Sequence, residues 1–130
     1  MNPKAYPLLI LVIFITALIL TSCGTSNTAP SAIEDYLRAL TAKNADELAN
    51  LSCADWESQT KTELESFGAV SVTLDNPSCQ EAGKEGDYTL VSCTGKIIAN
   101  YGNEILEIDL SERTYLAVNE GGEWYMCGYR

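Results

Sequence analysis

"EIDLSERTYLAVNEGGEWYMCGY", residues Glu107–Tyr129, is the stretch on which the fold turns. Leu106, Ile108, Leu110, Thr114, Leu116 and Val118 fall on one side of an extended chain, with Glu107, Asp109, Arg113 and Tyr115 opposite. That period of two predicts a long half-buried strand. "NEGGE" then supplies turn formers, and "WYMCGY" returns as a last strand. Two such runs around a short Gly-containing turn form an antiparallel hairpin.

Working back from this hairpin, "YGNE" (Tyr101–Glu104) is a further turn and Tyr88–Tyr101 a long strand. "DNPSCQEAGKEGD" (Asp75–Asp87) is dense in turn formers and reads as a loop or hairpin connection. Val70, Val72 and Leu74 alternate with small or polar residues as a first strand. Upstream the period lengthens. Ser31-x-x-Glu34 matches a capping box, and Ile33, Tyr36, Leu37 and Leu40 make one apolar helix face. Asn44 caps a second, short helix with Leu48 and Leu51 on its inner side, ending at Cys53. Asp55 is the expected cap of a third, with Trp56, Leu64 and Phe67 as a sparse stripe before Gly68. Helices first and about four antiparallel strands after them predict an α+β domain, its helices packed on one face of a curved sheet.

The N-terminus has a different character. Lys4 precedes a run from Leu8 to Leu20 that is apolar apart from Thr16, and small polar residues follow. This is the layout of a secretory signal peptide. The run falls short of the roughly 20 apolar residues needed to cross a bilayer, and it lacks the amphipathic period of a surface helix. Leu20-Thr21-Ser22-Cys23 resembles the bacterial lipobox, in which an aliphatic and two small residues precede a cysteine. That resemblance implies a diacylglyceryl group on the Cys23 thiol and cleavage ahead of it. Residues 1–22 are then a lipoprotein signal peptide, residues 23–30 the lipidated cysteine and a short linker, and residues 31–130 a single domain. The expected location is the extracytoplasmic face of a cell membrane, with the lipid anchor as the membrane contact. Two or more acyl chains hold a protein there stably.

The charge balance narrows the partners. The chain carries −10 at pH 7, and only Lys4 among its charged side chains lies before Cys23, so the mature part carries −11. Such a surface repels nucleic acid and anionic headgroups, which reward basic patches. No nucleic acid is expected as a partner.

Setting Cys23 aside leaves Cys53, Cys79, Cys93 and Cys127. An even set in a small exported domain predicts two disulfides. A zinc site lacks both a C-x-x-C pair and any histidine. Three pairings are open on sequence alone. Position favours Cys79 with Cys93, near a hairpin, and Cys53 with Cys127, tying a helix end to the last strand.

"AIEDYLRALTAKNADELANLSC" (Ala32–Cys53) followed by the closing hairpin Glu107–Tyr129 resembles the helix and strand order of the NTF2-like, cystatin-like superfamily. The resemblance implies a cone-shaped sheet around a pocket. Enzymes of that superfamily generally set an Asp–His pair there, whereas this chain has no histidine. The expected function is therefore a non-catalytic binding module of the cell envelope, taking an envelope protein or a small ligand. A small pocket enzyme working with carboxylates alone is the alternative. No cofactor, metal or catalytic residue is assigned. Calcium binding by Asp75–Asp87 lacks the dense alternating acidic ligands of such loops. Tyr101, Tyr115, Trp124 and Asp109 are the pocket candidates, against the ordinary reading that aromatics in strands fill the core and acids face solvent.

Overall fold

The computed structural model describes residues 27–130. Three helices, α1 (Ala29–Thr41), α2 (Ala45–Leu51) and α3 (Glu57–Ser66), precede an antiparallel sheet of five strands. The strands are β1 (Ser71–Glu85), β2 (Tyr88–Asn100), β3 (Ile105–Asp109), β4 (Thr114–Glu120) and β5 (Glu123–Tyr129). The α+β order is as read from the sequence. The sheet is larger than the expected four strands.

Helix α1 begins two residues earlier than Ser31, inside the expected linker. Thr28 is its N-cap: the Thr28 hydroxyl accepts from the Ser31 N–H at 3.3 Å, and the Ser31 hydroxyl accepts from the Thr28 N–H at 2.9 Å. Pro30 sits in the first turn, where a missing N–H removes no helical bond. Glu34 is thereby released from the capping role. Its carboxylate accepts instead from the Cys79 N–H of β1 at 2.9 Å. The apolar face falls as expected, with Ile33, Tyr36, Leu37 and Leu40 buried against the sheet. Each of the fully buried aliphatics contributes roughly 1.5–3 kcal/mol.

Asn44 caps α2, accepting from the Glu47 N–H at 3.2 Å. Asp55 caps nothing. It lies inside a 3-10 turn, Ala54–Trp56, that leads straight into α3, and Trp56 occupies the N-cap position without a side-chain bond.

The expected Asp75–Asp87 loop is strand for most of its length. β1 runs to Glu85 and turns over Gly86 into β2, with two bulges, at Asp75/Ser78 and Glu81/Gly83, absorbing the turn-forming residues. Pro77 falls within the first bulge, where the ladder asks no N–H of it. That bulge presses on Gly95: at φ +106° a Cβ there would stand 2.6 Å from the carbonyl oxygens of Asp75 and Asn76. Long pairing with β2 thus overrides local turn chemistry.

The two disulfides are Cys53–Cys127 and Cys79–Cys93. Cys79 and Cys93 are directly opposite in the β1–β2 register with Cα atoms 4.1 Å apart. So short a separation marks a non-hydrogen-bonded pair, whose N–H groups point away from the partner strand. The Cys79 N–H accordingly turns toward α1, where Glu34 receives it. Ser52 pairs with Met126 in an isolated parallel bridge, and the N–H of Cys53 bonds to the Met126 carbonyl at 2.9 Å, which brings Cys53 next to Cys127.

The expected single strand from Leu106 to Val118 is split. Both halves pair with the same side of β2, β3 with Lys96–Asn100 and β4 with Tyr88–Ser92. Between them Leu110–Glu112 forms a 3-10 turn. The turn shifts the strand's phase by one residue. Before it, Ile108 and Leu110 face inward; after it Tyr115 and Ala117 do, opposite Val91 and Thr89, while Thr114, Leu116 and Val118 take the outer face. The sequence expectation had these two sets the other way round.

Candidate functional site

Cys23 lies outside the described residues. The four pocket candidates do not meet. Asp109 ends β3 and accepts from the Ser111 N–H at 2.9 Å and the Ser111 hydroxyl at 2.7 Å. These bonds hold its carboxyl below the ordinary carboxylate value and give it a structural task at the phase-shifting turn. Glu107 is exposed and pairs with Lys96 at 2.7 Å. Tyr115 is buried in the core, with 1% exposure. Tyr101 flanks the β2–β3 turn, whereas Trp124 opposes Asn119 near the β4–β5 turn, beyond the other end of β2. The length of β2, roughly 40 Å at about 3.3 Å per residue, separates them.

A different set of residues converges at the seam between helices and sheet. On α3, Thr60 and Glu63 stand one turn apart and face Tyr36 of α1. The Tyr36 hydroxyl donates to Glu63 Oε2 at 2.7 Å and lies 3.1 Å from the Thr60 hydroxyl. Thr60 in turn is 2.9 Å from the Ser52 hydroxyl, and the Trp56 indole donates to Tyr36 Oη at 3.3 Å. Burial, and after it the Glu63 charge, pushes the Tyr36 pKa far above its ordinary value.

The sheet contributes Arg113, Tyr115 and Tyr129. The Arg113 guanidinium lies 4.1 Å over the Tyr129 ring, and Tyr129 meets Trp56 and Tyr115 edge-on at 5.5 and 6.0 Å. The Tyr115 hydroxyl is buried and falls short of a hydrogen bond with any neighbour. Burial pushes its pKa up to about 12, against the opposing pull of the Arg113 charge. Tyr129 is raised as well, by burial and then by Glu63.

Glu63, Arg113 and Tyr129 open together onto a cleft of about 190 Å³. Leu40, Phe67, Ile97, Leu106 and Ile108 wall it, and Tyr101 stands at its rim. Leu106 and Tyr101 are each 47% exposed and the neighbouring Ile105 64%. These are the large apolar side chains left in water among the described residues. Glu63 and Arg113 form no ion pair with each other or with any other described residue.

Sequence reasoning placed Tyr36 as core and Arg113 on a strand face, and passed over Glu63 entirely. The signal that pointed to Glu63 was the poverty of α3 itself. Its inward positions, Thr60 and Glu63, are polar, which is why its apolar stripe looked sparse.

Two larger hollows are shallower and more polar. One, about 340 Å³, lies beside the Cys53–Cys127 bridge among Asp55, Glu85, Asp87 and Glu120, with Glu85 paired to Arg130. The other, about 320 Å³, lies near Asn27, Asp35 and Trp124. Among the described residues no group of three or more His, Cys, Asp or Glu is arranged to hold a metal ion, and no Asp or Glu side chain is buried. No described helix is long and apolar enough to cross a membrane.

No family model matches the chain, and no curated protein matches it. Among solved structures it is similar to a SEC-C motif-containing protein from Rhodopseudomonas palustris, determined in solution. The TM-score is 0.51 and the identity 10%, over 77% of this chain and 75% of that one. At that identity the likeness is one of fold. It corrects the expected NTF2-like cone: the structure the chain resembles is that of a SEC-C motif protein, and the sheet has five strands.

Proposed function

We propose that this chain is an exported lipoprotein, anchored through Cys23 on the extracytoplasmic face of a cell membrane, whose domain is a non-catalytic binding module of the envelope. The observation that carries the binding reading is the seam cleft. It joins a water-exposed apolar rim at Tyr101, Ile105 and Leu106 to two unpaired opposite charges. Apolar walls with a few fixed polar groups are the usual composition of a ligand site. Two disulfides support the extracytoplasmic part of the reading, because such bridges persist in oxidising compartments. The net charge of −10 argues against nucleic acid as the partner.

Two measurements test it. Intact mass of membrane-extracted protein should show loss of residues 1–22 and an added acyl mass on Cys23. A chain retaining those residues unmodified overturns the anchor. A photo-crosslinking amino acid at position 101, activated in native membranes, should give discrete adducts that a probe at exposed Asp46 does not. Identical patterns from the two positions overturn the cleft as a binding site.

A further inference from the structure

We propose that the seam cleft receives a small apolar zwitterion of the amino-acid type, its carboxylate on Arg113 and its ammonium on Glu63. The inference rests on the binding reading above and gives it a ligand class.

Opposite charges lining one half-enclosed cavity ordinarily close on each other. Here neither does, and each is held by its own support. Glu63 is fixed by the Tyr36 hydroxyl at 2.7 Å, and Arg113 by the Tyr129 ring at 4.1 Å. No ion pair joins the two. Groups locked by packing and by second hydrogen bonds are preorganised for a partner that neither finds within the protein. A simple anion would meet Arg113 but also Glu63 and a chain of net charge −10. A simple amine would meet Glu63 but also Arg113. A molecule carrying both signs satisfies both ends.

The remaining features match. Leu40, Phe67, Ile97, Leu106 and Ile108 offer an apolar surface for a side chain between the charges. A volume of about 190 Å³ lies below the roughly 300–1,000 Å³ of drug-sized sites, so the occupant is small.

The test is isothermal titration calorimetry of the oxidised full chain in detergent micelles. L-leucine and L-phenylalanine are compared with 4-methylpentanoate, which lacks the ammonium, and 3-methylbutylamine, which lacks the carboxylate. We expect saturable binding of at least one amino acid, and at least a tenfold loss for each single-charge analogue. Arg113→Gln should reduce the amino acid to the affinity of the amine, and Glu63→Gln to that of the acid. The analogue series on the unmodified protein stands even where a variant fails to fold. The proposal is overturned where neither amino acid binds at about 10 mM, or where either analogue binds as well as the zwitterion. Cleft-specific crosslinks from position 101 alongside a flat titration would overturn the ligand class and leave the binding module standing. Loss of both would remove both.

Discussion

The two disulfides offer a controlled comparison, because each joins one buried cysteine to one half-buried cysteine. Replacing either pair by alanine therefore removes similar packing, and the difference between the two double variants isolates the effect of loop closure in the unfolded chain. Cys79–Cys93 closes a separation of 14 residues and Cys53–Cys127 one of 74. With the inner bridge intact, the outer ring is shortened to an effective length of about 60 residues. Loop-closure entropy then gives about 4.3 kcal/mol for the outer bridge and about 2.8 kcal/mol for the inner one, whose removal returns the outer ring to full length. The expected difference is about 1.5 kcal/mol, roughly a twelvefold change in the unfolding equilibrium. Urea unfolding of Cys53→Ala/Cys127→Ala and Cys79→Ala/Cys93→Ala, followed by Trp fluorescence, measures it directly. Should the inner pair prove as costly as the outer, or costlier, the unfolded-state account is refuted. The bridges would then act mainly through the native structure, for instance through the β1–β2 ladder.

Four further outcomes follow from the geometry. Thr28→Ala removes the N-cap of α1 and should cost about 1 kcal/mol in urea unfolding, since the Ser31 N–H loses its acceptor. Gly95→Ala should destabilise by about 3 kcal/mol or prevent folding, because the new Cβ meets two backbone carbonyls at a positive φ; a neutral result would mean that the bulge at Asp75/Ser78 is plastic. Asp109 has a folded-state carboxyl pKa below its ordinary 3.8, so its contribution is present above that value and lost as pH falls through the folded one; Asp109→Asn should flatten the acid limb of the stability–pH curve. Tyr115 behaves in the opposite sense. The unfolded chain releases its proton near 10 and the folded one near 12, so stability should fall as pH climbs between them, and Tyr115→Phe should lessen the decline in urea midpoints taken across that range.

Much of the architecture was legible because local pattern and tertiary need agree there. Ile33, Tyr36, Leu37 and Leu40 repeat at helical spacing, and their burial is what that spacing demands. Asn44 caps a helix, and the turns at Tyr101–Glu104 and Gly121–Gly122 are where Gly and Asn cluster. The failures share a cause: a non-local partner changed the meaning of local residues. Asp75–Glu85 carries turn formers, yet its pairing with Tyr88–Lys96 of β2 and a disulfide hold it extended. Leu110–Glu112 looks like uninterrupted alternation, but the Asp109 side chain rewards a 3-10 turn, and every residue from Thr114 to Val118 changes face. The cleft was illegible for the same reason. Glu63 and Arg113 lie fifty residues apart, on elements whose patterns give no hint of the other, and only the tertiary fold brings them to one cavity.

The nested bridges have a topological consequence. The ring closed by Cys53 and Cys127 encloses α3, β1 to β4 and most of β5. A single cut in the Tyr101–Glu104 turn, or between Gly121 and Gly122, leaves two fragments that cannot separate until the sulfurs are reduced. A cut at Gly86 is fastened twice, since it falls inside both rings. Only α1 and α2 stand outside, so a nick at Lys43 frees the N-terminal piece from every covalent restraint. The molecule is thus a closed sheet with one detachable helix, and non-reducing electrophoresis after brief proteolysis reads that distinction directly.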